Sequence, residues 1–350
     1  MDFVDELDAE LTGAEHMRAI TYQGSDKPLL LETLPDPVPG EGELVIRVDR
    51  CGICGTDIHF TSDEGYQYNL GQTPGHEIAG VVSAIGPGVD GFQVGDRISP
   101  MPLRGCTKCD WCEKGMPQFC DERRLNGGGF AELALVCAKS CIHLPDDLTM
   151  DDAALIEPMA VGYHAVKISG MVAGAKVLVL GAGPIGLAAT FWAKYMGAGT
   201  VAVAAKSRTR EHYAMQMGAD VFVDPDKPID QAVKEALGCK PDIILEALGV
   251  PGAVAMAIDL VRPMGTISAM GYCSDPDTFV PAVAVDKEVR LQFSETYTLD
   301  EYAEVARILT ENNIPRLMVS KTVGLSEIPD FFPTLHQRNS YAKVLIDTTA

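Results

Sequence analysis

"KVLVLGAGPIGLAA", residues 176–189, decides half of the fold. Lys176–Leu180 is a short run of Val and Leu that ends at a glycine, which suits a buried strand. Gly181, Gly183 and Gly186 then follow in G-x-G-x-x-G spacing, and a helical apolar pattern continues to Met196. A second strand, "GTVAVAA" (199–205), comes next. A lone motif of this kind is weak, but strand, turn, helix and strand in this order describe a dinucleotide-binding turn. Gly181 permits the tight turn, Gly183 lets backbone approach a pyrophosphate, and Gly186 lets helix pack on strand. Pro184 and Ile185 complete the candidate cofactor contacts, and the helix N-terminus stabilises phosphate charge. The competing reading is a tight strand–helix turn with no ligand. The apolar stretch 175–193 approaches the length of a membrane span, yet three glycines and a proline in one turn argue against a lipid-facing helix.

Working outward, the alternation continues. A helix to Met217 leads to "DVFVD", and "PDIILEALG", the helix "PGAVAMAIDLV" and the strand "GTISAMG" follow, with "VRLQFSE" after them. This spacing predicts a doubly wound parallel sheet in an α/β protein. Residues 17 to about 150 have a different texture. "ELVIRVDRCG", "IAGVVSAIGPGV", "VGDRISPM" and "FAELALVCAKSCIHL" are short strands divided by Gly and Pro, a compact irregular β domain. A helix over 299–312 and the strand "AKVLID" close the chain, and from sequence alone they could complete either domain.

A chain of 350 residues exceeds a single core, so two domains are expected. The 49 acidic and 28 basic residues give a net charge of −21, which disfavours nucleic acid and anionic membranes as partners. Ten cysteines are too few for a disulfide scaffold, and their clustering points to metal in a reducing, cytoplasmic setting. The first sixteen residues hold six acids and a single histidine but no Lys or Arg, the reverse of a secretory leader. Phe3, Leu7 and Leu11 allow an amphipathic helix there; a disordered acidic extension is the other reading.

"CTKCDWCEKGMPQFC" sets Cys106, Cys109, Cys112 and Cys120 at spacings of two, two and seven intervening residues. Four thiolates suit a closed tetrahedral structural zinc site. An iron–sulfur centre or two disulfides are the alternatives. "CGICGTDIH" (51–59) allows three readings: spare thiols on a turn, a redox pair, or part of a metal site. Downstream stand His76 and Glu77 in "TPGHEIAGVV" and Glu157 in "ALIEPMAVGYHAV". Cys, His and Glu suit an open zinc site with a position left for water or substrate.

The acid expected near the end of the second strand is missing. "VAVAAKSRTR" puts Ala205 there, followed by Lys206, Ser207, Arg208 and Arg210. A carboxylate would accept from a ribose 2′-hydroxyl, whereas Arg and a hydroxyl suit a 2′-phosphate, so NADP(H) is favoured over NAD(H). The plain alternative is a solvated helix start.

Taken in order, "CGICGTDIH", "GHE", the cysteine box, "EP" and "GAGPIG" resemble the zinc-dependent medium-chain dehydrogenase/reductase (alcohol dehydrogenase) family, nearest its sorbitol, threonine and glucose dehydrogenase branch. The resemblance covers residue 17 to the end. It implies a GroES-like β catalytic domain over 1–165 and 299–350, with 1–16 as an acidic extension, and a Rossmann domain over 166–298. It implies two zinc ions per chain, a homodimer or homotetramer, and hydride exchange between a secondary alcohol or polyol and NADP(H). An NAD(H)-dependent threonine- or amino-alcohol-type enzyme is the alternative, and a zinc-bearing binding protein on the same scaffold is a third.

By that resemblance Cys54, His76 and Glu157 hold the catalytic zinc, Glu77 enters its coordination during exchange, and Cys51 is a packed thiol. Asp57 fixes the tautomer of His76, unless it is an ordinary turn carboxylate. Thr56 and His59 resemble the proton relay, unless His59 is a plain surface histidine. Lys343 matches a basic residue that reaches the cofactor pyrophosphate, unless it is an exposed strand-end lysine. Two departures stand out. Gly55 occupies a position where some members carry a base near the phosphates, and Glu157 replaces the cysteine of the liver-type branch. The loop 60–72 is expected at the cleft mouth, where Tyr66, Tyr68 and Asn69 either bond substrate hydroxyls or cover the loop.

Overall fold

The computed structural model describes residues 15–25, 27–62 and 67–350. Most of the acidic extension, with Phe3, Leu7 and Leu11, lies outside the described residues, as does Tyr66.

Two main sheets organise the chain. The first is a six-stranded parallel sheet whose spatial order is Val221–Phe222, Thr200–Ala204, Lys176–Leu180, Ile243–Glu246, Thr266–Ala269 and Arg290–Phe293. Numbered along the chain this is 3-2-1-4-5-6, the order of a Rossmann sheet. Helices cover both faces, so the strands are near-continuous apolar runs. Val177, Val179, Val201, Val203 and Leu245 point into one core, and Leu178, Leu180, Ala202 and Ile244 into the other. The segment 175–193, whose length approaches a membrane span, divides into a buried strand and the helix Pro184–Tyr195. Among the described residues no helix is long and apolar enough to cross a membrane.

The second sheet is built around the long strand Glu43–Ile53, which pairs antiparallel with Glu77–Ile85, Leu133–Cys137 and Lys343–Asp347. Arg97–Pro100 and Cys141–His143 extend it on one side, and Val319–Gly324 closes the other. The chain end therefore joins this sheet, a matter that the sequence left open.

The helix Ile156–Ile168 links the two sheets and runs unbroken past position 165, the boundary expected from the sequence. Trp192 donates through Nε1 to the Met159 carbonyl at 2.7 Å, fastening this helix to Pro184–Tyr195. Their backbones touch at Gly162, where a Cβ would fall 2.8 Å from that of Ala188. One apolar cluster runs from Met101, Ile142 and Leu345 of the β sheet through Met159 to Val179 and Val203 of the parallel sheet.

Candidate active site

Strand register assembles the first constellation. Gly52 stands opposite Glu77, and Ile53 opposite Val344, so Cys54, Glu77 and Lys343 leave three neighbouring strands at one level. A Cβ on Gly52 would lie 1.8 Å from Glu77 Oε2, so only glycine leaves room for that carboxylate. Cys54 caps the short helix Gly55–Phe60, and its N–H donates to Asp57 Oδ2 at 2.8 Å. His76 directly precedes the strand Glu77–Ile85.

Ligand atoms of Cys54, His76 and Glu77 all lie within 4.8 Å of one another, a spacing that one ion with bonds of about 2.0–2.3 Å can bridge. A soft thiolate, an imidazole and a carboxylate are the donor set of a zinc site, so the residues fit the metal that the sequence implies. Glu157, on Ile156–Ile168, is not in this mutually close set. Its carboxylate accepts from the Tyr297 hydroxyl at 3.3 Å. Burial lifts Glu157 to about 7, with the His76 charge opposing and Glu77 adding to the rise.

The wholly buried Asp57 lies with Oδ1 3.6 Å from His76 Nδ1. That oxygen also accepts from the Tyr68 hydroxyl at 2.7 Å and from the Gly75 N–H at 3.2 Å. Burial alone would strip the proton from His76, but Asp57 and Cys54 overcome it and raise the imidazole well above its usual value. Tyr68 is thus tied behind Asp57, although with His76 and Thr73 it also lines a cavity of about 250 Å³. Asn69 is exposed and turned onto Gln72.

Lys343 is 2% exposed, not a solvated strand end. Its ammonium donates to both Glu77 oxygens, at 2.6 and 2.7 Å, and to the Ile53 carbonyl at 3.0 Å. Thr56 Oγ1 lies 3.5 Å from Cys54 Sγ, and His59 stands three residues on along the same short helix, both partly exposed. Cys51 is fully buried, with burial raising its thiol well above the usual value, and all ten cysteines, which lie among the described residues, are free thiols.

The four box cysteines form a second cluster whose sulfurs lie within 4.8 Å of one another, as one tetrahedral ion requires. The Cys106 N–H donates to Cys120 Sγ at 3.3 Å. A Cβ on Gly105 would come within 2.3 Å of Cys112 Sγ, so the chain wraps the sulfurs closely.

At the glycine turn Gly181 has φ +111°, and a Cβ on Gly186 would lie 2.1 Å from the Gly181 carbonyl. Both glycines are required by the fold. Gly183 differs, since nothing lies within 4 Å of a Cβ built there. This open space, before a helix begun by Pro184, fits a pyrophosphate. Ile185 packs on the core. Beyond the second strand, Ser207 Oγ bonds Thr209 at 3.0 Å. The Arg208 guanidinium is held by Glu211 at 3.0 Å and by Asp224 at 3.4 Å. Arg210 reaches Asn339 at 3.4 Å and leaves a buried Nε without a partner.

Two families cover most of the chain: the alcohol dehydrogenase GroES-like domain matches residues 40–146, and the zinc-binding dehydrogenase domain matches 184–311. L-threonine 3-dehydrogenase of Pyrococcus furiosus is 36% identical over 90% of this chain and 91% of its own length. Human sorbitol dehydrogenase is 33% identical over 75% and 77%. A zinc-binding dehydrogenase from Sinorhizobium meliloti bound to NADP superposes with a TM-score of 0.85 at 29% identity, over 95% of this chain and 99% of that one. An alcohol dehydrogenase from Escherichia coli complexed with NADH gives 0.86 at 28%, over 96% and 100%. The chain therefore belongs to the zinc-dependent medium-chain dehydrogenases and is an oxidoreductase that acts on a CH–OH group.

Proposed function

We propose that this enzyme exchanges hydride between a secondary alcohol or polyol, or the matching ketone, and NADP(H). The observation that carries the reading is the meeting of Cys54, His76 and Glu77 in one site, where the carboxylate is buried and the thiol stays partly open to solvent. In this reading the catalytic unit comprises residues 1–165 and 299–350, and residues 166–298 bind the dinucleotide. Cys54, His76 and Glu157 hold the catalytic zinc, with Glu77 exchanging in. Cys106, Cys109, Cys112 and Cys120 hold a second, structural zinc. Bound zinc supplies Lewis-acid polarisation of a substrate oxygen, and the nicotinamide supplies or accepts hydride.

The remaining work falls to side chains. Asp57 orients His76, and Tyr68 and the Gly75 N–H hold Asp57. Thr56 can accept a proton and donate its own, and the ring nitrogens of His59 can take one up and pass it on. Gly181, Gly183, Pro184, Ile185 and Gly186 seat the pyrophosphate. Lys343 lies on Glu77, so its part is to hold that carboxylate; by the family resemblance its charge would also serve the cofactor pyrophosphate.

For NADP(H) the support is the missing strand-end acid and the cations that replace it. Arg210 carries an unpartnered Nε, whereas Arg208 reaches a 2′-phosphate only by leaving Glu211 and Asp224. A second reading, NAD(H) with a threonine-type amino alcohol, is favoured by the 36% identity to a threonine dehydrogenase. Family resemblance supports a homodimer or homotetramer.

An activity screen over polyols, sugars, aryl alcohols and threonine, with NADP and NAD in parallel, tests both readings. Metal analysis should give two zinc per chain, and chelation should stop turnover. Activity that survives complete chelation would sink the zinc reading, and a clear preference for NAD would overturn the cofactor assignment.

A further inference from the structure

The carboxyl ends of the parallel strands form a level row: Leu180, Glu246, Ala269 and Phe293 stand in register. The ladder runs one residue further, through Gly181, Ala247, Met270 and Ser294, whose N–H groups bond the Ala204, Leu180, Glu246 and Ala269 carbonyls. Ligands of such sheets bind beyond these ends. The candidate adenosine contacts lie after Thr200–Ala204 on one side of the glycine turn. The other half of a bound dinucleotide would then fall on the side of Ile243–Glu246, Thr266–Ala269 and Arg290–Phe293. Ser294 stands at the far end of that row. Three residues later Tyr297 reaches Glu157, so this segment leads from the sheet edge to the candidate metal site.

Two atoms of the segment lack partners. Ser294 Oγ and Thr296 Oγ1 are buried and make no hydrogen bond. Thr296 also has φ +46°, a conformation costly for a β-branched residue. Folded proteins leave few buried hydroxyls unsatisfied, because each has given up water for nothing in return. Two within three residues, beside strain and just beyond the carboxyl end of the sheet, call for a missing partner.

We infer that Ser294 and Thr296 form a specificity subsite that takes a second hydroxyl, or another neutral polar group, of the substrate. Each can donate and accept, which matches an alcohol hydroxyl, and the pair itself brings no charge to select an ion. The nearness of Tyr297 to Glu157 favours substrate over the nicotinamide carboxamide, which offers similar chemistry. This inference rests on the dehydrogenase reading above and adds which residues discriminate among its substrates.

The test compares 2,3-butanediol with 2-butanol, one skeleton with and without the second hydroxyl, in zinc-loaded wild type, Ser294→Ala and Thr296→Val. Wild type should prefer the diol. Each variant should lose roughly tenfold in kcat/KM for the diol, mainly through KM, with 2-butanol changed less than about twofold. Cofactor affinity, titrated without substrate, should not move, and the melting temperature of the ligand-free variants should hold or rise. Equal losses on both alcohols, weakened cofactor binding, a lower melting temperature or no change at all would each overturn the inference. If wild type turns over no alcohol with either cofactor, the dehydrogenase reading itself fails, which is a separate result.

Discussion

Tyr297 and Glu157, 140 positions apart, meet through a 3.3 Å hydrogen bond from the phenol to a buried carboxylate. Tyr297 follows the last strand of the parallel sheet, and Glu157 lies on the helix that joins the two sheets. Tyr297 is itself fully buried, stacked on Tyr302 with ring centroids 5.1 Å apart and fastened by Gln118, whose Nε2 donates to the Tyr297 carbonyl at 3.2 Å. A donor so held fixes where the carboxylate can go.

Tyr297→Phe keeps the stacked ring and removes only that donor. Burial has raised Glu157 to about 7, and the Tyr297 bond opposes the rise. Without it Glu157 keeps its proton to higher pH, and a protonated carboxyl competes less well for a metal. The midpoint of zinc uptake against pH should therefore move upward, with zinc affinity at neutral pH reduced roughly 10–100-fold. Competition with a chelator measures it. An unchanged affinity would show that the tyrosine does not position Glu157.

The glycine turn separates folding from binding. Gly186→Ala drives a methyl toward the Gly181 carbonyl at 2.1 Å and should destabilise the protein by about 1–3 kcal/mol. Gly183→Ala meets nothing within 4 Å, so its melting temperature should match wild type. The added methyl instead occupies the space proposed for the pyrophosphate, and the cofactor Kd should rise at least tenfold, on the order of 1.4 kcal/mol. Calorimetry of the free protein and fluorescence titration of the reduced cofactor separate the two effects. A Gly183→Ala protein with normal affinity would place the pyrophosphate elsewhere.

These cases show why part of the molecule was readable from sequence. The glycine turn and the cysteine box are local, so spacing alone carries their geometry. The parallel sheet was readable because strand and helix alternate in its segments. Lys343 was not, since its meaning lies in a partner 266 positions away. Sequence allowed an exposed strand-end lysine; the antiparallel register buries it. The same holds for Tyr68, which sequence left to bond substrate or to cover the loop, and whose hydroxyl bonds Asp57. Tyr297, Ser294 and Thr296 lie in "SETYT", which carries no motif, and only tertiary contact singles them out. Gly52 looks like any strand glycine until the Glu77 carboxylate stands beside it.

Lys343 and Glu77 make a charge pair almost wholly out of water, with side-chain exposures of 1% and 0%. Removing one member strands the other, which typically costs about 3–5 kcal/mol. Lys343→Met should lower stability by that order, and adding Glu77→Gln should restore part of it, because a neutral amide tolerates burial better. Urea midpoints of the two variants give the comparison. An exposed lysine would change stability by less than about 0.5 kcal/mol, so a loss that small would refute the buried pair.

Glu301 makes acid stability a test of the packing between Ile156–Ile168 and Leu299–Glu311. Burial opposes its charge, but hydrogen bonds from His164 at 2.8 Å, the Thr298 N–H at 3.0 Å and Lys167 at 2.9 Å prevail, bringing it from 4.5 to about 2. The folded state thus binds this proton less readily than the unfolded chain. Its stabilisation is full above about 4.5 and fades as pH falls toward about 2. Lys167 is more than half exposed, so His164 and the helix cap supply most of the effect. Glu301→Gln should cost about 1–3 kcal/mol at pH 6 and less at each step downward, so the two stability curves converge in acid. Parallel curves between pH 6 and 3 would mean that the Glu301 charge contributes nothing to holding these helices together.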